Sequence, residues 1–292
     1  MAQSNIRLNT DNPRGGINLH FNLGAGATVQ QSPSWTAAGR GVRFVRLPPG
    51  AAFKLPDGEH FAKVVLGELT NIDRTCLAAP FEVRATHVAT DELVAGRDGA
   101  LFALATLAED APRDLSDMAA LRFAGERSEC LQWQRFDEKF AGVIDFFDGK
   151  DCHMANGFHL LDERGIEVAY VNPWTCGKGV DLSTHNHGHA PSAQGPAFAE
   201  VHWVLAAATP ASGMYVTSKP GAPDRVRHPM GLGDEHGPFY DRDATGRPMF
   251  RENGAVQYPW HGWQGGDDDT PGQRYDFVLA FEINPDYIEA RT

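Results

Sequence analysis

Short runs in which apolar and polar residues alternate, or in which apolar residues follow one another for a few positions, recur along the first third of the chain. They are "GVRFVRL" (Gly41–Leu47), "HFAKVVLGEL" (His60–Leu69), "FEVRATHVAT" (Phe81–Thr90) and "ALFALATLA" (Ala100–Ala108). Runs of this length, rich in β-branched and aromatic residues and bounded by Gly, Pro or Asp, predict strands. Between Glu109 and Glu126 the rhythm breaks at Pro112, and a Ser or Asp cap there predicts a short helical connector. The strand pattern returns in Gly142–Phe147, Gly165–Pro173, Phe198–Ala208, Gly213–Ser218 and Arg274–Ile283. From Lys219 to Tyr258 a segment rich in Gly, Pro and Asp predicts a long loop of the lid or binding type.

Two strand-rich halves around one connector predict an all-β protein built as a tandem of small barrels or sandwiches, residues 1–125 and 126–292. Composition agrees: 42% hydrophobic and 22% charged residues describe a globular chain, and 31 glycines and 19 prolines spread along it supply many turns. A net charge of −12 without a Lys/Arg cluster repels a phosphate backbone, so nucleic acid is not an expected partner. The start lacks a secretory pattern and no apolar run is long enough to span a bilayer, which leads to the expectation of a cytoplasmic protein with no membrane partner. The four cysteines, Cys76, Cys130, Cys152 and Cys176, form no CxxC pair and are read as reduced core residues.

Chemistry concentrates in "GVDLSTHNHGHAPSAQGPAFAEVHWVL", Gly179–Leu205. On a strand, residues i and i+2 face the same side, so His185 and His187 can aim both imidazoles into one interior, as can Glu200 and His202 from the next strand. His261, in "YPWHGW", is a further candidate. Imidazole nitrogens with one carboxylate suit a divalent ion such as zinc, manganese, iron or nickel. His189 extends the alternation but precedes Ala190-Pro191 and is read as a loop residue or a support for the ligands, and as the first substitute ligand for Glu200. His20, His87, His153, His159 and His228 have no partner spacing and are read as structural. "QGGDDDTPG" (Gln264–Gly272) lacks the spacing of a calcium loop and is read as a solvated turn.

These motifs resemble the cupin superfamily, whose first motif runs Gly, five residues, His, one residue, His, with a Glu further on. Gly179, "VDLST" and His185-Asn186-His187 match that opening, and "EVHWVL" has the form of the family's glutamate segment, with Glu200 as the ligand. The gap of 13 positions from His187 to Glu200 is longer than the family's and fits a longer turn. Pro259-Trp260-His261 is a compressed form of the second motif. The resemblance implies one divalent metal, zinc by preference, on His185, His187, Glu200 and His261. The first half resembles a degenerate copy: Phe53 and Leu55 stand near the histidine positions and Lys63 near the glutamate position, which implies a first barrel without metal.

More narrowly, the segment Thr184–Val216 together with "DEHGPF" and "YPWHGW" is similar to the tandem-cupin part of aldos-2-ulose dehydratases, lyases that remove water from keto-sugars such as 1,5-anhydrofructose. Members of that group carry an added β-propeller, which a chain of this length is not expected to contain. The resemblance implies a metal-dependent carbohydrate lyase (dehydratase) or isomerase with a small-molecule carbohydrate substrate. His202 is then the expected base and His236, from the insertion, the expected acid. An iron-dependent dioxygenase and a non-catalytic sugar-binding cupin stay open as alternatives. Pairing through exposed sheet edges leads to the expectation of a homodimer.

Overall fold

A computed structural model describes residues 3–24, 26–70, 83–112, 115–142, 147–186, 198–267, 269 and 272–289. Of the expected features, the strand at Gly142–Phe147 lies almost wholly outside these residues, as do His187, His189, Cys76 and the first part of the strand expected at Phe81–Thr90. The fold is all-β. The first half contributes β1 (Gln3–Asn5), β2 (Arg7–Asn9), β3 (Ile17–His20), β4 (Val29–Gln31), β5 (Trp35–Ala37), β6 (Arg40–Leu47), β7 (Ala52–Lys54), β8 (Glu59–Leu69), β9 (Val83–Ala85), β10 (His87–Val88) and β11 (Glu92–Leu107). The connector holds a one-turn helix, α1 (Met118–Leu121), whose first turn is capped by the Asp117 side chain accepting from Ala119 N–H.

The second half contributes β12 (Trp133–Arg135), α2 (Phe136–Lys139), β13 (Cys152–Ala155), β14 (Phe158–Leu161), β15 (Glu167–Gly177), β16 (Ala199–Ala206) and β17 (Ser212–Thr217). It continues with β18 (Val226–Pro229), β19 (Asp234–Phe239), β20 (Trp260–Gly265), β21 (Tyr275–Ile283) and α3 (Asp286–Glu289). The segment 219–258, expected as loop, therefore carries two strands. Its Gly and Pro residues punctuate β18 and β19 and so hid their short apolar content.

Among the described residues the strands form an eight-stranded sheet built around β4-β6-β11-β8 and a ten-stranded sheet ordered β2-β3-β14-β15-β21-β16-β19-β9 along its main path. A small sheet, β18-β17-β20, lies beside them. The first half lends strands to the second: β2, β3 and β9, early in the chain, join the ten-stranded sheet. The long β11 turns a corner where its pairing with β8 slips between Ala95 and Ala100. Gly67 and Gly99, at φ +71° and +76°, make that corner, and a Cβ on Gly67 would sit 1.9 Å from the Gly99 carbonyl oxygen.

Three apolar clusters result. One, with Val45, Phe53, Leu55, Leu93 and Phe102, fills the interior of the first half. A second, with Met154, Trp174, Val204, Met214 and Trp263, lies inside the second half. The largest joins the two sheets, with Trp35, Phe44, Phe61 and Val65 from one meeting Phe158, Val171, Trp203 and Phe281 from the other. At its centre the Phe158 ring lies 4.8 Å from Trp35, 5.2 Å from Phe44 and 5.7 Å from Phe123. Cys152 and Cys176 are buried free thiols. No helix among the described residues is long and apolar enough to cross a membrane.

Because Phe158, on a strand of the second half, is fully buried against Trp35, Phe44 and Phe123 of the first half, Phe158→Ala is expected to lower stability by about 3–5 kcal/mol. Denaturant unfolding followed by tryptophan fluorescence checks this, and an unchanged midpoint would contradict it.

Candidate metal centre

β16 is buried along its whole length. Val201, Trp203 and Leu205 point into the core between the sheets, while Glu200, His202 and Val204 point the other way, into the second barrel. Alternation expected from the sequence is thus realised with the carboxylate and imidazole on the inner face. β21 pairs with one side of β16 and β19 with the other.

His185 follows a turn in which Ser183 takes φ 43°. It forms an isolated bridge to His261 at the start of β20, with reciprocal backbone hydrogen bonds of 2.8 and 3.1 Å. The two rings stand 4.7 Å apart. Each has its Nδ1 against a carbonyl oxygen two residues earlier, Ser183 O at 3.1 Å and Pro259 O at 3.0 Å. A carbonyl only accepts, so Nδ1 carries the proton in both rings and Nε2 is turned out as a lone-pair donor. Gly262 permits this approach, because a Cβ there would lie 2.3 Å from the Tyr215 hydroxyl and 2.8 Å from Ser183 O.

Glu200 lies between two imidazoles: its Oε1 is 3.2 Å from His202 Nε2 and its Oε2 is 3.4 Å from His261 Nε2. With the proton of His261 on Nδ1, two electron-rich atoms face each other at Oε2 and Nε2. That arrangement calls for a positive charge, a second proton or a metal ion, between them. The donor set therefore fits a divalent ion of borderline softness. Among the described residues no group of three or more His, Cys, Asp or Glu side chains stands in an arrangement that would hold an ion by itself. The expected ligand His187 lies outside those residues.

Around this cluster the chain builds a stiff wall. Trp174 meets His202 edge-on at 5.7 Å and Trp263 at 5.2 Å. The Trp263 indole donates to Asp276 Oδ2 at 2.7 Å, and Ala208 N–H donates to the other oxygen. Burial pushes the Asp276 carboxyl up to about 7, against the pull of the hydrogen bonds from Ala208, Trp263 and Ser212. Tyr258 donates its hydroxyl to the Phe198 carbonyl, and burial with the nearby charges of Glu200 and Glu282 raises its pKa well above the ordinary value. Outside the wall, Lys150 Nζ donates to Ser183 Oγ at 2.6 Å and to the Asp181 carbonyl. The Asp181 carboxylate takes Tyr215 Oη at 2.9 Å and Arg225 Nη1 at 2.8 Å. These groups hold the turn that delivers His185.

His236, the expected acid, is fully buried and is the Cα partner of His202 across β16 and β19. Directly opposed residues on antiparallel strands share a face, so both imidazoles line the same interior. His228, read as structural, lies with its ring 4.6 Å from that of His236. Asn186 alternates away from His185, and its amide is held by Arg251 Nη2 and by the Tyr258 carbonyl, each at 2.7 Å. Reading the sequence missed Lys150, Trp174, Tyr258 and Asp276, which carry no motif spacing. Only Tyr258, beside Pro259-Trp260-His261, had a local signal. A cavity of about 740 Å³, with Leu55, Glu59, His60, His87 and Asp91 among its walls, opens at the end of the first half and shares no residue with this cluster.

Histidines and a glutamate brought together on paired strands, inside one of two packed β modules, define a cupin. The chain belongs to the family of aldos-2-ulose dehydratase/isomerase cupin domains, which matches residues 25–284. The aldos-2-ulose dehydratase of Phanerodontia chrysosporium is 28% identical, across 84% of this chain and 30% of that protein. This chain thus spans less than a third of that relative's length. Among solved structures it is similar to an IolB-like protein from Salmonella typhimurium, with 11% identity, a TM-score of 0.33 and 84% of each chain covered. It is also similar to a cupin 2 conserved barrel domain protein from Leptotrichia buccalis, with 10% identity, a TM-score of 0.27, and 88% and 90% covered.

Asp276 gives this wall a pH dependence whose sign follows from its pKa. The carboxyl titrates near 3.8 in the unfolded chain and near 7 in the folded one. The folded state therefore holds more protons between those values, and stability falls as pH climbs through that window and levels off above it. Asp276→Asn cannot titrate, so the melting temperature of the wild type relative to this variant is expected to be higher at pH 5 than at pH 8. A difference independent of pH would contradict the assignment.

Proposed function

We propose that the second barrel is a metal-dependent dehydratase or isomerase acting on a keto-sugar or a related small hydroxy-carbonyl compound. The observation that carries this reading is the convergence of His185, Glu200, His202 and His261 inside the barrel, with both Glu200 oxygens turned to imidazoles. Membership of a family described by aldos-2-ulose dehydratase/isomerase supports the reaction class.

His185, His187, Glu200 and His261 would hold one divalent ion, zinc by preference because the reaction has no net redox change. When bound, that ion supplies Lewis-acid stabilisation of the negative charge that grows on the substrate's carbonyl oxygen as the adjacent carbon loses its proton. The remaining work falls to the chain. Glu200 Oε1 orients His202 through Nε2, leaving the other ring nitrogen of His202 to take the proton from carbon. His236, on the neighbouring strand and the same face, gives a proton to the departing hydroxyl, which leaves as water. The tryptophan wall of Trp174 and Trp263 excludes bulk water and keeps the imidazole of His202 from rotating.

His202→Gln keeps a side-chain amide able to donate to Glu200 but cannot act as a base. It is expected to retain the wild-type metal content, measured by plasma mass spectrometry. Its dehydration of 1,5-anhydrofructose, followed by ultraviolet absorption of the unsaturated ketone, is expected to fall by about 10²–10⁴-fold. Unchanged turnover would remove His202 from the chemistry. A wild-type protein that is inert toward keto-sugars but consumes oxygen when loaded with ferrous iron would replace this reading with an oxygenase.

A further inference from the structure

Lys63 stands where a second copy of the metal motif would place its glutamate, yet its side chain does not enter the first barrel. On β8 it shares a face with Phe61 and Val65, which belong to the core between the sheets, whereas Ala62 belongs to the interior of the first half. Its Nζ lies 2.9 Å from Glu235 Oε2 and donates to the Val64 carbonyl at 2.7 Å. The ammonium also stands 5.9 Å from the centre of the Phe281 ring. Lys63 and Glu235 side chains are 7% and 13% exposed, so this pair is largely out of water. Arg84 Nη1, at 3.9 Å from Glu235 Oε1, is a second and more distant cation.

Glu235 precedes His236 on β19, so the two side chains leave the strand on opposite faces. β19 itself is held between β16, which carries the candidate site, and β9, which the first half supplies. Glu235 is opposite Trp203 on one side and Arg84 on the other, and His236 is opposite His202 and Val83. Thr86, just after β9, ties the same three strands: it accepts from the Trp203 indole at 2.8 Å and donates to the Gly233 carbonyl. Among the described residues, both cations facing Glu235, Lys63 and Arg84, thus come from the first half.

We infer that Lys63 is a positioning residue for His236: by neutralising Glu235 on the outer face of β19, it seats that strand so that His236 faces His202 inside the second barrel. This inference rests on the role proposed above for His236. Removing the ammonium leaves a carboxylate in an apolar interface, and the strand must shift to bring it toward water. A shift that carries Glu235 outward takes His236 with it, because the two share one backbone. Removing both charges abolishes the reason for the shift.

The test compares Lys63→Met with the double variant Lys63→Met/Glu235→Met in the full chain. Steady-state kinetics on 1,5-anhydrofructose is read beside the ring signals of ¹⁵N-labelled histidine, with the His236 signal identified from His236→Gln. Lys63→Met is expected to lower kcat by about 10–100-fold with KM and metal content unchanged and to move the His236 signal. The double variant is expected to restore both. Lys63→Met with wild-type kcat and an unmoved His236 signal would overturn the inference. So would a double variant that recovers thermal stability but neither kcat nor the signal, since the pair would then only hold the halves together. If the wild type does not turn over the sugar, the reaction reading fails separately. In that case the His236 signal alone decides: displacement in the single variant and return in the double uphold the positioning, and an unmoved signal sinks it.

Discussion

A strand buried on both faces must satisfy two different environments with alternate residues, and β16 is that strand. Its outer residues, Val201, Trp203 and Leu205, belong to the core that joins the sheets. Its inner face carries Glu200 and His202 into the second barrel. A slip of one residue would drive the carboxylate into the intersheet core and turn Trp203 inward, so apolar burial on one side locks the register of polar groups on the other. The candidate site depends on this lock. β20 and the His185 turn meet through two isolated bridges, Asp181 with Gln264 and His185 with His261, and the second brings their imidazoles to the same place.

Charges and polar groups inside such a fold are tolerated where something pays for their loss of water. Glu200 is met by His202 and His261, Glu235 by Lys63 and Arg84, and Glu167 by His159 and Arg14. Asp276 follows another route: deep among apolar residues it receives N–H donors from Trp263 and Ala208, and burial shifts it toward the protonated form. His261 with Glu200, Lys63 and Arg84 with Glu235, and Arg14 with Glu167 each join segments distant in the chain. Buried polar contacts therefore do two jobs, aiming imidazoles and tying the first half to the second.

The two halves do not divide the labour evenly. Phe53 and Leu55 fill the first interior with apolar side chains, where the motif comparison puts histidines. The first half instead supplies β9 as a neighbour to β19, the cations opposite Glu235, and the aromatic surface that covers Phe158. The second half carries the histidine cluster and the tryptophan wall. In this arrangement the barrel that holds the histidine cluster is completed at one edge by a segment from the other half of the chain.

Much of this was legible before any coordinates. Strands at Gly41–Leu47, His60–Leu69, Phe198–Ala208 and Arg274–Ile283 announce themselves because long β-branched and aromatic runs bounded by Gly or Pro suit a sheet and little else. The period of two also placed Glu200 and His202 on one face, and the cupin motifs singled out His185 and His261. Short strands such as β18 and β19 escaped, because a few residues among glycines and prolines carry too little pattern to stand out from a loop. Partnerships escaped altogether: Lys63 with Glu235, Trp263 with Asp276 and Lys150 with Ser183 join residues whose separations obey no period. Local spacing determined which side chains share a face, since that follows from the geometry of one strand. Which faces meet, which strand lies beside β19 and which buried charge answers another was decided only by tertiary packing, because those contacts are set by the shared burial of apolar surface from the whole chain.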